Sequence, residues 1–324
     1  MSLPVHLIEP PDEDLRAELN AALDPAIRLT VGEDPPADCR ILVAGRVTPE
    51  ILARCAALEA VVIPWAGVPR KTRDLLLAHP RLAVHNLHHN AAATAEMAVA
   101  LLLAAAKSIV PLDRALRAGD WRPRYQGQHS IELRGRTAFI LGFGAIGERV
   151  ARACLALEMQ VLATRRSATA TTTAEVIAMH PAAALPALLP RAQILIVCLP
   201  LTPETEGLIG ARELALLPPE AILINIGRGP IVDEEALYDA LASRRLRAAG
   251  LDVWYRYPEN ESAHVGTLPA RLPFHELDNV VLSPHRAGDN VETESRRMAA
   301  LAALLNAAAR GELPPNRVDL ERGY

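Results

Sequence analysis

Few stretches restrict a fold as tightly as Thr137-Ala-Phe-Ile-Leu-Gly-Phe-Gly-Ala-Ile-Gly-Glu-Arg-Val-Ala151, in which an apolar strand runs into three glycines and then into a helix. Gly142, Gly144 and Gly147 stand in G-x-G-x-x-G spacing. In this context the first glycine permits a tight strand-to-helix turn, the second lets the backbone approach a pyrophosphate, and the third allows close packing of helix on strand. Ala145 and Ile146 open the helix, whose unpaired N–H groups suit an anion. The stretch implies a parallel α/β sheet that carries a dinucleotide.

The flanking chain repeats the alternation. Apolar runs at residues 5–8, 41–44, 60–64 and 82–85 read as strands, with helical patterns at 12–23, 49–58 and 69–78 between them. Strands separated by helices imply βαβ units, so a first α/β layer fills residues 1–90. Residues 94–118, rich in Ala and Leu and closed near Gly119, are expected to form one long connecting helix. After the glycine stretch, strands are expected at 159–164, 194–199, 221–226, 248–253 and 279–282. The biased segment 168–174 reads as a loop between strand and helix, and a last Ala-rich helix covers 291–310. The economical arrangement is two domains: 91–288 for the dinucleotide, and 1–90 plus 289–324 for the substrate, which a cleft between the two would hold.

Composition excludes other classes. The chain has 324 residues, half of them apolar, and a net charge of −4, so it offers no electrostatic case for nucleic acid or an anionic membrane. Cys39, Cys55, Cys154 and Cys198 lack C-x-x-C spacing, which disfavours a zinc site or disulfide framework. The first residues lack the basic and apolar regions of a signal peptide, and the apolar run at 98–106 is short for a bilayer. A cytoplasmic protein is expected. His85, His88 and His89 are spaced too loosely for a metal site, and His88 and His89 read as cleft residues.

Five motifs in order carry a resemblance: the glycine loop; Leu199-Pro-Leu-Thr-Pro-Glu-Thr205; Leu223-Ile-Asn-Ile-Gly-Arg-Gly-Pro-Ile-Val-Asp233; Gly250-Leu-Asp-Val253; and Ser283-Pro-His-Arg-Ala-Gly288. Together they resemble the D-isomer-specific 2-hydroxyacid dehydrogenase family over nearly the whole chain. The resemblance implies an α/β fold of two Rossmann-like, doubly wound parallel-sheet domains joined by long helices, the substrate domain being flavodoxin-like. It further implies hydride transfer between a nicotinamide cofactor and C2 of a 2-keto or 2-hydroxy acid, and a homodimer.

By the same likeness Arg228 takes the place of the guanidinium that holds the substrate carboxylate and polarises the carbonyl, which its fixed fork suits. His285 takes that of the proton donor, a role its near-neutral pKa fits. Trp65, Ala66, Gly67 and Val68 resemble the loop whose backbone N–H groups meet the substrate carboxylate. Cys198, Leu199, Pro200, Thr205, Ile226, Gly227 and Asp252 match positions lining the cofactor.

Three departures stand out. Tyr257 occupies the place of the glutamate that ordinarily orients the histidine and raises its pKa. Asn90 follows His88 and His89 where formate dehydrogenases, a branch of the family, bind substrate. Arg165, Arg166 and Ser167 stand where an NAD-specific fold carries an acidic residue; these donors would attract a 2′-phosphate and resemble the run in NADP-using glyoxylate and hydroxypyruvate reductases. NADP(H) is therefore expected in preference to NAD(H). The alternatives are a formate-dehydrogenase-like oxidase and a non-catalytic nicotinamide-sensing protein.

Overall fold

The computed structural model describes residues 2–127, 130–166, 171–172 and 177–323. Ser167 lies outside them. The chain divides into two compact units, Met1–Asn90 with Asp289–Tyr324, and Ala91–Gly288.

The first unit holds a parallel sheet of β1 (Leu3–Leu7), β2 (Ile27–Val31), β3 (Ile41–Val43), β4 (Ala60–Ile63) and β5 (Ala83–Asn86) in the order β2-β1-β3-β4-β5. Every residue of β1 is buried, as expected for a central strand with helices on both faces. Successive residues of β3 point to opposite faces. Ile41 and Val43 join Met298, Leu301 and Leu305 of the helix Thr293–Ala309, whereas Leu42 joins Leu76 of the helix Arg70–Leu77. The sequence pattern missed β2, an edge strand whose Arg28 and Thr30 break its apolar run.

The second unit contains β6 (Thr137–Leu141), β7 (Gln160–Arg165), β8 (Thr171–Thr172), β9 (Ala178–Pro181), β10 (Ile194–Val197), β11 (Ala221–Asn225), β12 (Leu246–Leu251) and β13 (Val280–Leu282). Their order is β13-β12-β11-β10-β6-β7-β9-β8, parallel apart from the β8–β9 pair. From β6 the chain builds outward through β7 to β9, then returns to β10 on the other side and builds toward β13. This reversal makes the C-terminal ends of β6 and β10 the topological switch point, where α/β sheets bind ligands.

Two expectations need correction here. The 94–118 helix is two helices, Ala91–Lys107 and Ile109–Arg117, bent by 64°. Ser108 between them adopts a left-handed backbone (φ +52°), and Pro111 lacks an N–H and would press its ring on the Lys107 carbonyl, so a continuous helix is blocked. After the biased segment, β9 pairs directly beside β7, where a helix was expected. Among the described residues no single helix is long and apolar enough to cross a membrane.

Candidate active site

The glycine loop leaves β6 through Gly142, whose φ of +104° suits glycine alone. A Cβ at Gly147 would collide with the Gly142 carbonyl oxygen, so the helix Ala145–Ala156 packs on its own entry turn only because that atom is absent. Gly144 differs. A Cβ there would meet no protein atom within 4 Å, and its φ is −105°. Packing therefore demands glycine at 142 and 147 but not at 144, where the open space suits the approach of a pyrophosphate. Ala145 and half-buried Ile146 begin the helix at that opening.

Neighbouring loops close on the same point. The Cys198 N–H donates to the Leu141 carbonyl (2.9 Å), and a Cβ on Gly142 would lie 2.9 Å from Leu199. Gly227, just past buried Ile226, approaches the Leu199 carbonyl so closely that a Cβ would stand 2.6 Å from it. The Thr205 hydroxyl donates to the Pro200 carbonyl (2.7 Å) and accepts from the Thr202 N–H (2.8 Å), which locks the Pro200 loop from within. Burial pushes the Cys198 thiol up, and nearby Cys154 adds to the effect, so it is a poor nucleophile. On the other side of β6, the Phe143 N–H bonds the Thr164 carbonyl (2.8 Å), which brings the exposed end of β7, with Arg165 and then Arg166, beside the glycine loop.

Asn225, at the end of β11, shapes the Arg228 turn. Its side chain accepts from the Gly227 N–H (3.1 Å) and donates to the Arg228 carbonyl (3.0 Å). The Arg228 guanidinium donates to the Gly227 carbonyl (2.7 Å) and forms no ion pair with a carboxylate among the described residues. Burial lowers its pKa, with Tyr257 opposing. A largely desolvated guanidinium without an acidic partner is a receptor for an anion.

His285 sits in a left-handed backbone conformation (φ +59°) that Asp252 holds in place. Both oxygens of this buried carboxylate are engaged: Oδ1 accepts from the Ser283 hydroxyl and the Arg286 N–H (2.9 Å), and Oδ2 from the Ala287 N–H (3.0 Å). Tyr257 Oη lies 2.9 Å from His285 Nδ1 and accepts from the Trp254 N–H at 3.1 Å. The Trp254 indole in turn donates to the Ser283 carbonyl (2.8 Å), and its ring packs with Tyr238 and Tyr255 around Phe274. The Tyr255 hydroxyl donates to the Val232 carbonyl (2.9 Å), so Tyr257 is the phenol at the histidine. Burial lowers the His285 pKa, Arg228 lowers it further, and Asp252 opposes. Sequence reasoning missed Asn225, whose partners are backbone groups of the next turn, and Trp254 and Ser283, whose links to each other and to Asp252 join residues 29 and 31 positions apart. Asn225 carried the clearest signal, as a polar residue closing an apolar strand.

In the first unit, the loop after β4 is fixed by its neighbours. The Trp65 ring stands where a side chain on Gly45 would be, Asn86 donates to the Ala66 carbonyl (2.6 Å), and Val68 packs with Trp65 on the apolar cluster. Trp65 is thus turned into the packing, and the loop through Gly67 is left to present backbone. His89 is held down to about 4 by burial, then by Arg297 and His88, and burial likewise lowers His88. Asn90 closes the unit immediately before the helix Ala91–Lys107. His85 bonds the Pro315 carbonyl through Nδ1 (2.9 Å).

A crevice of this form, at the switch point of a parallel sheet with a glycine loop at its base, defines a dinucleotide-binding α/β protein. Residues 99–287 match the family model described as D-isomer specific 2-hydroxyacid dehydrogenase, NAD binding domain. A glyoxylate reductase from Aeropyrum pernix is 41% identical over 234 residues, covering 71% of this chain and 67% of its own length. A D-3-phosphoglycerate dehydrogenase from Mycobacterium tuberculosis is 34% identical over 335 residues, covering 100% of this chain and 60% of its own. The chain thus spans only about 60–67% of the length of these two curated relatives. A D-isomer specific 2-hydroxyacid dehydrogenase from Xanthobacter autotrophicus Py2, solved with NADPH and MES, superposes with a TM-score of 0.81 at 29% identity, covering 100% of both chains. The chain belongs to the D-isomer specific 2-hydroxyacid dehydrogenase family, whose members are NAD(P)-dependent.

Proposed function

We propose that the protein is an NADP(H)-preferring reductase of a small 2-keto acid, with glyoxylate and hydroxypyruvate as the leading substrates, and that it works as a cytoplasmic homodimer. The observation that carries this reading is the Arg228 guanidinium, largely buried and without a carboxylate partner among the described residues, in the same electrostatic neighbourhood as His285. Arg228 grips the substrate carboxylate and draws charge onto the carbonyl oxygen. The loop from Trp65 to Val68 offers backbone N–H groups suited to a carboxylate. His285 gives the oxygen its proton, oriented by Tyr257. The bound nicotinamide supplies the hydride.

Gly142, Gly144 and Gly147 hold the pyrophosphate, and Arg165 with its neighbour Arg166 draws the 2′-phosphate. Asp252 contributes by holding the histidine loop. The homodimer is supported by the helix Ile109–Arg117, which buries no residue while Ile109, Leu112 and Leu116 stand exposed. A panel of 2-keto acids and formate, assayed with both nicotinamide cofactors, tests the proposal. Turnover of glyoxylate or hydroxypyruvate with NADPH is expected. Formate oxidation outrunning keto-acid reduction would favour the formate-dehydrogenase alternative, and no turnover at all would favour a nicotinamide sensor.

A further inference from the structure

We propose that the Tyr257–His285 pair equips this site to reduce the C=N bond of 2-imino acids as well as the C=O bond of 2-keto acids. The inference rests on the reading of Arg228 and His285 given above. Carbonyl reduction leaves charge on oxygen and needs an acid at the moment of hydride transfer. An iminium needs none, because its nitrogen arrives protonated and becomes a neutral amine as the π pair moves onto it.

The groups facing His285 are Tyr257, Arg228 and Asp252. The Asp252 carboxylate already accepts from Ser283, Arg286 and Ala287, and the partner at Nδ1 is a phenol, 2.9 Å away. A carboxylate there would favour imidazolium, a second positive charge that would repel an iminium; a phenol does not. One lone pair of Tyr257 Oη is taken by the Trp254 N–H, and its own proton can rotate, so the phenol either donates to Nδ1 or accepts from it. When it accepts, the neutral ring turns the lone pair of Nε2 outward, where it can receive the N–H of an iminium. The lowered pKa of His285 favours this neutral form.

The step balances without the histidine. Hydride from the reduced nicotinamide forms the C2–H bond, the nicotinamide is oxidised, the C=N π pair becomes the nitrogen lone pair, and the resulting amine takes a proton from water. Arg228 holds the carboxylate as before.

The test uses the unaltered enzyme with glyoxylate and NADPH, with and without methylamine, across pH. At about pH 9.5, well above the histidine range, the amine should raise NADPH oxidation at least about tenfold and yield N-methylglycine. Glycolate at low pH with no N-methylglycine at any pH overturns the inference and leaves the proposed reductase standing; no product of either kind overturns the reductase itself. A second readout is independent of turnover. With N-methylglycine and oxidised cofactor bound, 15N spectra of histidine-labelled protein, assigned by difference with His285→Gln, should show His285 neutral and protonated at Nδ1. An imidazolium or an Nε2–H ring overturns the inference.

Discussion

Tyr257 Oη stands 2.9 Å from His285 Nδ1, so the partner of the ring nitrogen is a phenol and not a carboxylate. A phenol orients the ring without adding the negative charge that would keep it protonated. With burial and Arg228 both lowering the His285 pKa, the imidazolium fraction falls as pH rises through a value lower than that of an ordinary histidine. Keto-acid reduction should therefore decline on the alkaline side of that lowered value. Tyr257→Glu should move this limb upward by about one unit. Profiles of kcat/KM against pH that superimpose for the two proteins would show that position 257 does not set the acid's pKa.

The Arg228 guanidinium donates to the Gly227 carbonyl and has no acidic partner among the described residues. Its replacement by alanine should remove on the order of 3 kcal/mol of transition-state stabilisation, a hundredfold or more in kcat/KM. Arg228→Lys should recover little, because a point charge lacks the bidentate fork. Steady-state kinetics on glyoxylate and hydroxypyruvate measure both, and near-normal rates in the alanine variant would remove Arg228 from the chemistry.

Cofactor choice should be decided at the end of β7. Arg165 is exposed there, so its charge would act on a 2′-phosphate through water and be screened by salt. NADPH should bind more tightly than NADH at low ionic strength, and Arg165→Asp should shift the ratio of dissociation constants toward NADH by at least about tenfold. Fluorescence titrations with both cofactors provide the numbers. Equal affinities in the unaltered protein would refute the preference.

The glycines separate folding from binding. Gly147→Ala puts a methyl group into the Gly142 carbonyl and should destabilise the second unit by about 1–3 kcal/mol. Gly144→Ala meets no protein atom within 4 Å and should leave stability within about 0.5 kcal/mol of normal. Cofactor affinity should nevertheless fall at least about tenfold in the Gly144 variant, because the methyl group obstructs the pyrophosphate. Denaturant melts and cofactor titrations on the same samples test the contrast; a Gly144→Ala protein that binds normally would dismiss the close approach at that residue.

The two parallel-sheet layers were legible because βαβ alternation is written in local runs of apolar residues. The glycine loop was legible because its spacing answers to one turn geometry. Arg228 and His285 could be singled out only by their likeness to a family, since a lone arginine or histidine has no local signature and their neighbourhood is made by strands β11, β12 and β13 meeting in space. The break at Ser108 was hidden by helix-favouring composition on both sides, although Pro111 held the clue. Asn225 and Ser283 escaped because their partners are a backbone turn and a carboxylate 31 residues earlier in sequence, respectively.

The left-handed backbone at His285 bears on which substitutions the site tolerates. Most L-residues would incur about 1 kcal/mol or more at that φ, and the conformation persists because Asp252 ties down the residues on either side. Loss of Asp252 would leave the Ser283 hydroxyl, the Arg286 N–H and the buried Ala287 N–H without this acceptor. The two positions are therefore coupled, and a substitution at Asp252 disturbs the backbone at His285. Tyr257 lies outside that pair: it is 46% exposed, and its hydroxyl links the histidine to the Trp254 N–H. Position 257 is therefore where a substitution can retune the histidine without unseating its backbone.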